Sequence, residues 1–135
     1  MKKLLAIAIL LTLNSVQARE QYPGQWAQVD PVVSEWYREL KQPDNPQMSC
    51  CGQSDSYYAD RVYYKDGKNI AVITDTRDDA PLQRPHVSPG TEFVIPDHKM
   101  KWDDGNPTGH SVIFLSNVGA DGNRDVYCFV DGRVF

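Results

Sequence analysis

Few residues in this chain carry obvious chemistry: Cys50, Cys51, Cys128 and His110. The three cysteines are the only ones among 135 residues. Two are adjacent, in Ser49-Cys50-Cys51-Gly52, and the third stands near the far end. Neighbouring Cα atoms lie ~3.8 Å apart across a trans peptide, below the ~4.4 Å lower end of ordinary disulfide geometry. A Cys50–Cys51 bond is therefore disfavoured, and Cys128 is expected to pair with Cys51 or with Cys50. One thiol is left over. It is either buried and inert, the commoner fate of a free cysteine, or a nucleophile. A thiol served by a distant histidine is the arrangement of thiol hydrolysis, in which the imidazole takes the sulfur's proton. Cys50 or Cys51 acting with His110 is that alternative.

Gly109-His110 directly precedes an apolar run, a pattern that resembles papain-like cell-wall amidohydrolases. In such enzymes a helix start lowers the thiol pKa, whereas residues 52–60 offer at most a short turn. The plainer reading is a strand-end histidine hydrogen-bonded to a loop, and no catalytic group is favoured. His86, His98 and His110 each stand alone, without the close ligand spacing of structural zinc sites. Asp97-His98 and Asp103-Asp104 supply carboxylates, and Asp121-x-Asn123-x-Asp125 is half of a calcium loop. Val126 stands where that loop needs glycine, and no glutamate follows Glu92. No metal and no cofactor is therefore expected. Gly-rich phosphate loops, Ser-His-Asp order and basic stripes are not found. What remains is a binding surface. Its candidates are Asp55, Tyr57, Arg84, His86, Trp102 and His110, drawn from the loop around residues 49–55, the 76–90 loop and the 109–110 strand end. Tyrosines suit such a surface because one end is apolar and the other donates a hydrogen bond. The competing role for at least half of them is core filling.

The compartment follows from the first eighteen residues. Lys2 and Lys3 precede the apolar run 4–13, and Val16-Gln17-Ala18 is a small-residue cleavage site. That pattern predicts a secretory signal peptide over residues 1–18, too short to span a bilayer, which takes about 20 apolar residues. The remaining 117 residues, 19–135, read as one domain with no transmembrane segment and a net charge near −6. Such acidity argues against nucleic acid as a partner. Export, to periplasm or medium, brings an oxidising environment in which cysteines pair.

The elements that must position these residues are legible in outline. Asp30-Pro31 is an N-cap followed by a first-turn proline, and Val33, Trp36, Tyr37 and Leu40 mark one helical face over residues 31–41. Residues 43–56 read as a loop, with a short helical turn possible from Gln53. Two runs, 61–64 and 69–73, flank Asp66-Gly67, a hairpin signal. Residues 74–90 form a long polar loop rich in Asp75, Arg77, Asp78, Asp79 and Arg84, and loops of that length are often functional. Strands are expected at 92–95, at 111–115 as a central strand, and at 125–130. The predicted class is α+β. An N-terminal helix would pack on a small, strongly twisted antiparallel sheet or partly open barrel of four or five strands.

Taken together, Trp36-Tyr37, Ser49-Cys50-Cys51-Gly52, Asp55, Val94-x-Pro96, Asn106-Pro107-Thr108-Gly109-His110 and Val126-Tyr127-Cys128-Phe129 resemble a family of small secreted proteins of alphaproteobacteria and related Gram-negatives. The resemblance spans nearly all of the mature chain. In it, further cysteines stand where this chain has Ser56 and near Val112, which implies a second bridge lost here as a unit. The family brings a compartment and a disulfide but no activity. The functional expectation is an exported cell-envelope binding or accessory module, its partner an envelope component or a small ligand, with the thiol hydrolase as the alternative.

Overall fold

The computed structural model describes residues 30–102 and 105–132. The signal peptide predicted over residues 1–18 lies outside them. Helix α1, Pro31–Glu39, starts where the capping pattern places it: Asp30 Oδ1 accepts the Val32 N–H at 2.8 Å. It stops at Glu39 rather than at residue 41, because Leu40 is already extended and Lys41 has joined a hairpin. That hairpin, β1 (Lys41–Gln42) with β2 (Asn45–Ser49), occupies a stretch read from its prolines and polar residues as loop. Pro46 is tolerated because a two-stranded ribbon is all edge. The hairpin returns the chain to the helix end, where the Cys50 N–H donates to the Leu40 carbonyl at 3.0 Å.

A short 3₁₀ turn at Gln53–Asp55 leads into β3 (Ser56–Tyr58). Then come β4 (Arg61–Lys65) and β5 (Lys68–Val72), joined by Asp66-Gly67 with both φ angles positive (52° and 77°), the twist-matched hairpin turn that Asp-Gly tolerates. After the long loop, β6 (Glu92–Ile95) adds to β5. The remaining strands are β7 (Met100–Lys101), β8 (Val112–Leu115) and β9 (Val126–Val130).

The α+β class holds, but the single twisted sheet or open barrel does not. Among the described residues there are three sheets: β1-β2, β4-β5-β6, and a four-stranded sheet ordered β3-β8-β9-β7. The last is mixed, since β7 runs parallel to β9. The break between β3 and β4 has a physical cause. The outward groups of β3 are taken by the Asp75 and Arg84 side chains and the Thr74 backbone N–H, which leaves no edge for a further strand. Strand β8 is central, buried at all four positions, as its unbroken apolar run requires.

The four-stranded sheet is apolar on both faces. Tyr57, Ile113 and Phe129 join a core with Ala71, Ile73 and Ile95 of the second sheet. Val112, Phe114, Cys128 and Val130 share the other core with Tyr37, Leu40 and Cys50. In that second core lies the disulfide, Cys50–Cys128, with Cα atoms 5.6 Å apart and both residues fully buried. Of the two pairings left open by the spacing, it is Cys50 that bonds, and Cys51 is the free, exposed thiol. Here 78 positions separate the bonded residues. Replacing both with alanine is expected to lower stability by about 2–5 kcal/mol, read as a reduced urea midpoint; an unchanged midpoint would contradict the stapling role.

Candidate functional site

Asp75 and Arg84 lie inside the protein, their side chains 1% and 2% exposed. Asp75 Oδ2 accepts from Arg84 Nη1 at 2.8 Å, from Arg77 Nη2 at 2.7 Å and from the Tyr58 N–H at 3.0 Å. Arg84 Nη1 also donates to the Ser56 carbonyl at 2.9 Å, and the Thr74 N–H donates to the Tyr58 carbonyl at 2.9 Å. These are the outward-facing backbone groups of β3, which in a wider sheet would bond a further strand. Burial by itself pushes the Asp75 carboxyl up. The hydrogen bonds from Arg77 and Arg84, and from the N–H groups of Tyr58 and Arg77, outweigh it and hold the carboxyl well below the usual carboxylate range. Arg84 Nε reaches Asp79 Oδ1 at 2.6 Å, and its guanidinium lies over the Tyr57 ring, 4.5 Å from the centroid. Tyr57 Oη donates to the Pro85 carbonyl.

On this frame stands a three-layer stack. Arg77 Cζ lies 3.6 Å from the centroid of the Tyr58 ring, and the His110 ring lies 3.9 Å from it at 11°. Two groups that close cannot share one ring face, so Tyr58 is sandwiched between imidazole and guanidinium. Asp60 holds the far end: its Oδ2 lies 2.7 Å from His110 Nδ1, and its Oδ1 accepts the Ser111 N–H at 2.8 Å. Because a carboxylate only accepts, Nδ1 is the protonated nitrogen in the neutral ring, which leaves Nε2 as the outward acceptor. The approach of the C-terminal segment also sets His110. A Cβ at Gly132 would fall 2.1 Å from the His110 carbonyl carbon, so only glycine fits.

Beneath the stack, Tyr37 Oη is the one buried side-chain polar atom without a hydrogen-bond partner among the described residues. Burial first, then the neighbouring Tyr58, pushes its pKa up to about 12. Ser56 is close enough to soften this shift, but its hydroxyl proton goes to the Gln53 carbonyl at 2.7 Å.

The cysteines sit elsewhere. Cys51 has φ 81°, its N–H bonds Ser49 Oγ at 3.0 Å, and its thiol faces the Ser49 carbonyl at 3.6 Å. Although the residue is exposed, partial burial of the sulfur raises its pKa, and the Asp55 carboxylate adds to the rise. Tyr127 is its other electrostatic neighbour.

The site residues expected from the sequence thus divide. Cys50 is in the disulfide and unavailable as a nucleophile. Arg84 and Tyr57, expected on a binding surface, are buried, because they serve the edge of β3 and the core beneath it. His110 joins the stack, partly exposed, whereas His86 pairs with Asp79 and is exposed, as is Trp102. Asp55 is half-buried beside Cys51 and its carboxyl is raised by burial. Asp60 and the joint role of Asp75, Arg77 and Tyr58 were missed. The one available signal was alternating charge in a proline-bounded loop. Among the described residues no group of histidines, cysteines and carboxylates is arranged to hold a metal. No family model, curated protein or solved structure matches this chain.

A carboxyl whose pKa is depressed by folding stabilises the fold above its unfolded pKa of about 3.9 and ceases to do so as pH falls through the folded value. Asp75 should therefore contribute fully at neutral pH and progressively less in acid. Asp75→Asn is expected to cost about 3–5 kcal/mol at pH 7, since it leaves buried guanidinium charge uncompensated. Its stability curve between neutral pH and pH 3 should be flatter than that of the wild type. Equal acid slopes for the two proteins would refute the assignment.

Proposed function

We propose that this chain is an exported binding module of the cell envelope, periplasmic or secreted, whose recognition face is the Arg77–Tyr58–His110 stack. The observation that carries this reading is the stack's support. On one aromatic ring, the guanidinium is held by the buried Asp75 carboxylate and the partly exposed imidazole by Asp60, so the face is ordered before any ligand arrives. A planar imidazole with an outward acceptor nitrogen, backed by an aromatic ring, suits ligands that stack and donate a hydrogen bond. The signal-like residues 1–18 and the disulfide support export. Among the described residues no helix is long and apolar enough to cross a membrane.

The thiol-hydrolase alternative has less behind it. His110 engages Asp60 and Tyr58, and at Cys51 partial burial, with the Asp55 carboxylate adding to it, raises the thiol pKa instead of lowering it. A nucleophilic cysteine needs the opposite shift.

Two measurements test the reading. Co-sedimentation of the mature protein with purified murein sacculi should fall at least tenfold for His110→Ala and for Arg77→Ala, with His110→Ala keeping the wild-type melting temperature. Sedimentation unaffected by both changes, or absent in the wild type, would remove the proposed face. Alkylation of Cys51 by iodoacetamide should be slow at pH 7 and rise only above the ordinary thiol pKa of about 8.5. Fast reaction near pH 6 would restore the hydrolase.

A further inference from the structure

Reading Ser-His-Asp order along the sequence finds nothing, yet the long loop assembles those three residue types in the order Asp79, His86, Ser88. Asp79 Oδ2 lies 2.7 Å from His86 Nδ1, and Ser88 Oγ lies 3.3 Å from His86 Nε2. A carboxylate that can only accept assigns the proton to Nδ1, so Nε2 is the acceptor facing the serine hydroxyl. This is the nucleophile–base–orienter sequence of serine acyl transfer, with the serine contact slightly longer than the usual 2.6–3.2 Å, a looseness common before substrate binds.

The arrangement rests on fixed structure. Asp79's other oxygen is held at 2.6 Å by Arg84, whose side chain is 2% exposed. Pro85 and Pro89 restrict the backbone on either side, and the Pro85 carbonyl accepts from Tyr57 Oη. Val87 is buried in the core with Tyr57 and Ile73, while His86 and Ser88 on either side of it are both exposed. The Ser88 carbonyl accepts from Thr91 N–H at 3.1 Å and Thr91 Oγ1 at 2.7 Å, and the Gly90 N–H donates to Ile73 at 2.8 Å. The Ser88 N–H makes no hydrogen bond among the described residues and is free to meet a carbonyl oxygen.

We propose that Ser88, His86 and Asp79 form an acyl-transfer site for small carboxylic esters. Ser88 Oγ adds to the ester carbonyl carbon while its proton passes to His86 Nε2, and Asp79 stabilises the imidazolium. Collapse of the adduct breaks the bond to the alkoxy oxygen, and the alcohol leaves with the proton from Nε2. Water then adds to the acyl-Ser88 by the same route, releasing the carboxylic acid and restoring the hydroxyl. Water is the sole co-reactant, and nothing is oxidised or reduced. The exposure of His86, whose side chain is 70% accessible, makes this an open, slow site for esters that protrude from their carrier. The proposal is independent of the binding face, since none of its groups belongs to the stack.

The experiment treats the mature, oxidised protein with p-nitrophenyl acetate and, separately, with an alkyl fluorophosphonate, and maps adducts by peptide mass spectrometry. The expected result is one acetyl or phosphonyl group on Ser88. Ser88→Ala should abolish that adduct. His86→Ala should slow its formation on the order of 100-fold with an unchanged melting temperature, as befits an exposed side chain. Asp79 is a positioning residue: Asp79→Asn, which keeps the shape but favours the wrong tautomer, should slow acylation while shifting its pH profile, a change that loss of a structural tie alone would not produce. Adducts distributed over lysines and histidines with Ser88 unmodified, or Ser88 modified equally fast without His86, would overturn the proposal and leave these contacts as a loop tie only.

Discussion

A single carboxylate between two guanidinium groups decides most of this architecture. Asp75 and Arg84 stand at the outer edge of β3 and take over hydrogen bonds that a neighbouring strand would have made. An unpaired edge invites foreign strands, and here it is closed by two side chains and the Thr74 backbone N–H instead. The cost is desolvation of three charged groups, and in general such buried pairs contribute little net stability against an apolar substitute. What the arrangement contributes is placement. With the edge closed, β4 starts a separate sheet, and Arg77 is delivered to one face of Tyr58 and Arg84 to one face of Tyr57.

The two sites proposed above both rest on that frame. Arg77 is fixed by Asp75 and so presents a set plane to Tyr58, with His110 closing the other face under the direction of Asp60. Asp79 is fixed by the opposite side of Arg84 and orients His86. One buried arginine thus organises an aromatic–cation face through Asp75 and a hydroxyl–imidazole pair through Asp79. The long loop is buried at Asp75, Arg84 and Val87 and exposed at His86 and Ser88.

The covalent tie works on the other face of the sheet. Cys50 reaches Cys128 because the β1–β2 hairpin returns the chain to the end of α1, and both sulfurs then sit among Tyr37, Leu40 and Phe114. Cys51, one residue on, has positive φ and turns outward beside Asp55. The left-handed turn at Cys51 explains why one cysteine is bonded and its neighbour is not: it leaves the Cys51 side chain outside while Cys50 stays buried beside Cys128.

Local pattern was enough for α1, the Asp66-Gly67 hairpin, the central β8, the closing β9 and the existence of a bond from the vicinal cysteines to Cys128. In each, the determining interactions lie within a few residues or follow from geometry any chain obeys. Local pattern failed for β1 and β2, where pairing between two polar segments overrode a composition rich in loop formers. It failed again for Arg84 and Tyr57, which looked like surface and are interior. Charge in a sequence reads as exposure because an unpaired buried charge is prohibitive, and nothing local says that Asp75 and Arg84, nine positions apart, will meet over the edge of a strand. The choice of Cys50 over Cys51, the sandwich around Tyr58 and the Asp79–His86–Ser88 order were decided only by tertiary structure. Each depends on which segments the fold brings within ~3–4 Å, a distance at which hydrogen bonds and ring contacts act and to which sequence separation is blind.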